Sequence, residues 1–271
     1  MLKYYFRMMV LVLVPISLEA NPFTVPNTPT QETLSYSSKI SRQAAAQDVQ
    51  NTTLAQRALR GEMASRIDVQ IERKMIEGAR TILYTRVEQL MNGNRAQWQF
   101  TFDAVNHLVM RSFKKKITAQ DGTIVREEYV NFRAPVLGYP EDLLHTYVLE
   151  YAFRGVDFKE GYTNLFPVYF TGINIINMDI EVMGKEEVVV PAGKFVCWKV
   201  EMRPHLEDWV GRVVANLLRS FTPNFIFWYS INEGHPMVKY QGILGAIGAP
   251  VQVQELVSVQ SVGVGSTEAG P

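Results

Sequence analysis

From Arg66 onward the chain alternates apolar and polar residues with a period of two: Ile67, Val69 and Ile71 fall between Asp68, Gln70 and Glu72. Alternation of this kind puts one apolar face on an extended strand. The same period recurs in Trp98, Phe100 and Phe102, set between Gln97, Gln99 and Thr101. It returns in Ile176, Met178, Ile180 and Val182, set between Asn177, Asp179 and Glu181.

Turn signals separate these runs. Asn92-Gly93 joins a strand over about 80–91 to the Trp98 strand, and Asp121-Gly122 joins about 106–118 to 123–132. Both pairs supply the positive φ angles of a tight hairpin. Further strands are predicted near 146–153 and 165–170, then 225–231, 237–243 and 251–259. Pro191 and Gly193 occupy turn positions between Val188-Val189-Val190 and Phe195-Val196-Cys197-Trp198.

One segment follows a helical period. Within 205–220, Leu206, Trp209, Val210, Val213, Val214, Leu217 and Leu218 form a stripe, with Glu207 and Asp208 in the first turn and Arg219 in the last. Core packing, a lid over an apolar cavity and an interfacial membrane helix all produce such a stripe. The last is disfavoured because only Arg212 and Arg219 offer positive charge to lipid. The predicted fold class is mainly β (α+β): a curved antiparallel sheet or half-barrel of about ten strands covering one amphipathic helix.

Four segments follow from composition. Lys3 and Arg7 precede about eleven mainly apolar residues, too few to span a bilayer, so 1–20 reads as a signal peptide; an uncleaved anchor is the rival. Residues 21–62 are polar, with Pro22, Pro26 and Pro29, and are expected to be a partly disordered or weakly helical leader outside the core. A single β-rich domain is expected over 63–260, and a disordered tail over 261–271. The layout predicts a periplasmic or secreted protein without a stable transmembrane segment after signal cleavage.

The charges balance at 27 basic and 27 acidic residues, which leaves no global field to attract nucleic acid. Removing residues 1–20 takes Lys3, Arg7 and Glu19 and leaves 25 basic against 26 acidic. Lys114-Lys115-Lys116 on a strand alternates between faces and reads as a solvated edge. The single cysteine, Cys197, rules out an intramolecular disulfide and reads as a buried, inert thiol.

Catalytic motifs are absent from the sequence. There is no Gly-x-Ser-x-Gly elbow, phosphate-binding Gly-rich loop or His-Glu-x-x-His zinc helix. Gly242, Gly245 and Gly248 are not followed by the helix of a dinucleotide turn. His107, His145, His205 and His235 lack ligand spacing, so no metal or other cofactor is expected. Glu127-Glu128 and Glu186-Glu187 are adjacent strand residues and point to opposite faces.

Large apolar side chains are the more informative feature. Phe227-Trp228-Tyr229 must occupy both faces of its strand, so both are covered or one lines an apolar pocket. Trp198, Trp209, Phe227 and Trp228 are the candidate ligand-binding residues.

The segment Gly184–Val200, then Phe227-Trp228-Tyr229, Pro236-Met237-Val238-Lys239-Tyr240 and Glu255-Leu256, resembles an uncharacterised bacterial family of exported β-rich proteins. That family has a Gly-x-Glu strand, a Pro-Ala-Gly turn and an aromatic strand before a final Pro-containing hairpin. Its fold is similar to the half-barrel of periplasmic lipoprotein carriers. The resemblance covers about 66–259. It implies a concave sheet wrapped over helix, with an apolar interior that in the carriers accommodates acyl chains, and it supplies no catalytic residue. No cysteine stands at the end of the signal segment, unlike in lipid-anchored relatives.

The function expected is non-enzymatic binding of a lipid or other hydrophobic small molecule in a cavity between curved sheet and helix. One alternative is a cell-envelope interaction or assembly protein that binds an envelope protein partner through its leader and a sheet edge. A hydrolase with dispersed catalytic residues is the other.

Overall fold

In the computed structural model the described residues are 23–40, 64–76, 78–104, 107–132, 139–169, 175–206, 224–243 and 251–262. The strands are β1 (Gln31–Ile40), β2 (Ala64–Ile76), β3 (Ala79–Leu90), β4 (Arg95–Ala104), β5 (Leu108–Thr118), β6 (Ile124–Asn131) and β7 (Leu144–His145). They continue as β8 (Thr163–Tyr169), β9 (Ile175–Val190), β10 (Gly193–Pro204), β11 (Phe225–Ser230), β12 (Met237–Gly242) and β13 (Gln252–Val262). One short helix, α1 (Leu149–Ala152), is flanked by 3-10 turns at Thr146–Val148 and Phe153–Gly155.

The strands form a single open sheet in the order β6-β5-β4-β3-β2-β1-β13-β12-β11-β10-β9-β8-β7. Neighbours are antiparallel except β7 and β8, which run parallel. Two meanders therefore meet where β1 pairs with β13. Both predicted hairpin turns form: Gly93 and Gly122 have φ of 85° and 87°, and Asp121 Oδ1 accepts the Thr123 amide at 2.9 Å.

Strong curvature brings the two ends of the sheet together. The ring of Tyr169 on β8 lies 6.2 Å from that of Phe113 on β5, and His145 on β7 lies 5.1 Å from Phe100 on β4. The concave side holds the core, including Ile67, Val69, Ile71, Tyr84, Phe100, Phe102 and Phe113. This is the mainly β half-barrel that the periodicity predicted, with thirteen strands in place of about ten.

Three differences from the sequence reading concern what fills the interior. Residues 31–40, expected in a leader outside the core, form a strand in the middle of the sheet between β2 and β13. Leu34 and Tyr36 are buried on its inner face, and so is Glu32, which accepts a bidentate pair from Arg154 at 2.5 and 3.2 Å. The segment just before β1 is also internal: Phe23 is fully buried and its ring lies 5.8 Å from Phe153.

The strand expected near 146–153 is instead the helical segment Thr146–Gly155. It lies against the concave face, so Val148, Leu149, Tyr151, Ala152 and Phe153 are all buried; Thr146, Glu150 and Arg154 recur every fourth residue but are buried too, in a run too short and too apolar to read as an amphipathic helix. The amphipathic stripe of 205–220, expected to be the helix under the sheet, lies outside the described residues from Glu207 onward. Residues 1–20 and most of 261–271 also lie outside them.

Candidate functional site

On β3 the inward positions are Ile82, Tyr84, Arg86, Glu88 and Leu90, so two charged residues interrupt an apolar face. The register allows nothing else, because moving Arg86 outward would turn every other inward residue to solvent. Burial of these charges requires partners. Arg86 Nη1 donates to Glu150 Oε2 at 2.6 Å, its Nε donates to Glu88 Oε1 at 2.7 Å, and the second terminal nitrogen reaches Gln254 Oε1 at 3.4 Å. The Tyr84 hydroxyl donates to the other oxygen of Glu150.

One guanidinium between two carboxylates leaves an excess of negative charge. Burial pushes the Glu150 pKa up, with Arg86 and the Tyr84 hydrogen bond opposing it. For Arg86, burial disfavours the charge but Glu150 and Glu88 more than offset this, and its pKa rises. Burial likewise raises the Tyr84, Tyr229 and Tyr240 hydroxyls, so all three remain neutral donors. The Tyr229 hydroxyl donates to the Leu149 carbonyl at 3.2 Å.

Above this polar base, Tyr147 and Leu149 of the helical segment face Met202, Phe225, Phe227, Met237, Tyr240 and Ile243 across a cavity of about 20 Å3. That is room for about one water molecule. The polar groups at its base are engaged with one another, and no group of three or more metal-ligating side chains occurs among the described residues. The arrangement offers an apolar surface rather than a convergent acid, base and nucleophile.

Of the four residues selected from sequence, the three that are described do not converge. Phe227 lines the cavity, with its ring 5.0 Å from Phe153 and 5.0 Å from Tyr240. Trp198 is partly buried, lies 6.3 Å from Phe158 in a stacked pair and carries Lys185 Nζ at 4.4 Å over its ring. Strand alternation puts Trp228 on the opposite face from Phe227; its indole N–H donates to Glu186, and Lys239 Nζ lies 5.3 Å from the ring. Trp209 lies outside the described residues.

Sequence reading missed Arg86, Glu150 and Gln254, which form the polar base. Arg86 and Glu88 did leave a signal, since both fall on the apolar register of β3. Cys197 is fully buried and burial pushes its thiol up to about 12, with Glu186 adding to the shift, so thiolate chemistry is suppressed.

Residues 112–246 match a family described as protein of unknown function (DUF3108). The segment Gly184–Val200, which carries the sequence resemblance, lies inside that match. Comparison with curated proteins gave no match. Among solved structures, the chain is similar to a β-barrel-like protein of the domain of unknown function DUF1849 from Brucella abortus, with 10% identity, TM-score 0.45 and coverage of 85% of this chain and 97% of that one. It is also similar to the hypothetical lipoprotein YmcC from Escherichia coli, with 11% identity, TM-score 0.28 and coverage of 80% and 93%. The Mycobacterium tuberculosis lipoprotein LppX is similar at 10% identity, TM-score 0.25 and coverage of 83% of each chain.

Proposed function

We propose, from the geometry of the chain whose residues 112–246 match a family of unknown function, that it is a non-enzymatic, periplasmic or secreted protein that binds a lipid or another apolar molecule. The ligand lies between the concave sheet and the chain that crosses it. The observation that carries this reading is the convergence of Met202, Phe225, Phe227, Met237, Tyr240 and Ile243 on one internal cavity. The stripe of 205–220, with Trp209, is inserted in the sequence between Met202 on β10 and Phe225 on β11, two residues of that cavity wall.

A water-sized space must widen to take a ligand, and the flexible Met202 and Met237 side chains in its wall are the ones best able to give way. Binding then draws on apolar area removed from water, about 2.5 kcal/mol for each 100 Å2, with few directional contacts. The charged groups nearby are engaged: Glu32, Glu88 and Glu150 are ion-paired, and His145 is buried among aromatic rings. The N-terminal pattern of 1–20 supports export.

Organic extraction of the purified full chain, followed by lipid mass spectrometry, tests the proposal. A bound apolar molecule near one per chain is expected, and it should be depleted in Phe227→Arg and in the milder Met202→Gln, with folding checked by circular dichroism. An empty protein that also takes up no fluorescent acyl probe refutes it.

A second reading rests on β6. This edge strand exposes Ile124, Val125 and Tyr129 along a backbone with one neighbour in the sheet, the setting for strand addition by an envelope protein partner. Val125→Lys should abolish capture of such a partner and leave lipid content unchanged. The leader is a poor vehicle for this role, since residues 31–40 belong to the sheet.

A further inference from the structure

The hairpin end of β2 and β3 forms a second concavity. Across it Arg73 pairs with Ile82 and Met75 with Arg80, so these four side chains continue the face that carries Ile71 and Tyr84. Together with Val25 and Ala104 they line a groove of about 420 Å3, within the range of about 300–1,000 Å3 usual for small-ligand sites. Ile82 lies four residues, about 13 Å, from Arg86 along β3, with Tyr84 between them, so this groove is separate from the cavity at Phe227.

Its chemistry is divided. Val25, Ile82 and Ala104 give an apolar floor, and Met75 an exposed wall. Arg73, Lys74 and Arg80 contribute positive charge, and no described carboxylate lines the groove. Lys74 is paired with Glu72, but Arg80 has no ion-pair partner among the described residues. Arg73 donates to the Pro26 carbonyl and to Thr28 Oγ1, both uncharged, and its Nε is buried without a hydrogen-bond partner.

A guanidinium held at an apolar surface with only neutral partners is costly to the protein alone. A carboxylate or phosphate is the planar or multidentate acceptor that fits it. We infer that this groove binds a single-chain amphiphile with an anionic headgroup, the headgroup held by Arg73, Lys74 and Arg80 and the chain laid over Val25, Ile82, Ala104 and Met75.

Isothermal titration of the delipidated full chain with monomeric dodecanoate, and with uncharged dodecanol of the same chain length, tests this. Dodecanoate should bind at least about tenfold more tightly than dodecanol. The variant Lys74→Gln/Arg80→Gln, changed only at exposed positions, should lose that preference while retaining dodecanol binding. Phe227→Ala, which alters the cavity of the proposed function, should leave the preference for dodecanoate over dodecanol unchanged, because that preference comes from the groove's cations. Equal affinity for the two probes, or a preference that survives the double substitution, overturns the inference. Loss of that preference in Phe227→Ala instead assigns the headgroup to the cavity of the proposed function and removes it from this groove. Binding to phosphatidylglycerol vesicles without binding of free dodecanoate also overturns it, in favour of contact with a bilayer surface.

Discussion

Arg86 donates to Glu150 across 2.6 Å of the protein's interior, joining β3 to the helical segment that occupies the concave face. Both side chains are almost wholly removed from solvent. A buried pair of this kind adds little net stability over a well-packed apolar pair, yet removing one partner is severe because the other charge is left stranded.

Arg86→Met should therefore cost about 3–5 kcal/mol in urea denaturation, since it strands Glu88 and Glu150 together. Adding Glu150→Gln in the same chain should recover part of that loss. A single-variant cost within experimental error of zero would show that the network carries no structural role.

Acid lability should be traceable to His145. Burial, with Lys115 adding to it, lowers its pKa from 6.5 to about 3, so the native imidazole stays neutral where the unfolded one is protonated. In that window the unfolded chain binds the extra proton, and stability falls as the pH drops from 6.5 towards 3, by up to about 1.4 kcal/mol per pH unit. Glu150 acts in the opposite sense: its raised pKa gives stability that is full below its ordinary 4.5 and is lost as the pH rises above it. Denaturation midpoints measured through this range should flatten in His145→Phe, which fits among Trp98, Phe100, Phe113 and Tyr169. An unchanged pH profile in that variant would reject this assignment.

At Gly155 two chain segments touch through backbone. A Cβ there would lie 2.0 Å from the Thr24 carbonyl oxygen, and Thr24 donates to the Gly155 carbonyl from both its amide and its hydroxyl, at 3.3 and 2.7 Å. Gly155→Ala must push the segments apart, at a cost of about 1–3 kcal/mol or more. Hydrogen exchange at the Thr24 amide should accelerate with it; retained protection would contradict the contact.

The Cys197 thiol should be silent towards a chromogenic disulfide reagent at mildly alkaline pH until the protein is unfolded, because burial both screens it and holds it protonated. Rapid labelling of the native state would disprove that environment.

How legible these features were depended on whether their cause was local. Asn92-Gly93 and Asp121-Gly122 dictate their turns within a few residues, and β2, β4 and β9 announce themselves by strict alternation. β1 was hidden because two of its four inward positions, Glu32 and Ser38, are polar, and what licenses their burial is distant: Arg154 for one and Gln252 for the other. The helical segment was hidden for the converse reason, being covered on every side. In the candidate site, Phe227 was readable as an aromatic with an inward face to fill. The Arg86, Glu150 and Gln254 cluster was not readable as a unit, because three separate stretches of chain supply it.

The pairing of β1 with β13 has a consequence for how the chain comes together. Gln31 stands opposite Val262, so the earliest described strand completes its hydrogen bonding only with the latest. During synthesis the two meanders are local and can form in turn, but the seam between them waits for the end of the chain, and until then β1 presents an open edge. A circular permutant that joins the present ends and opens the chain between Phe132 and Tyr139 would turn this longest-range pairing into a neighbouring one. It should fold faster and aggregate less than the native order.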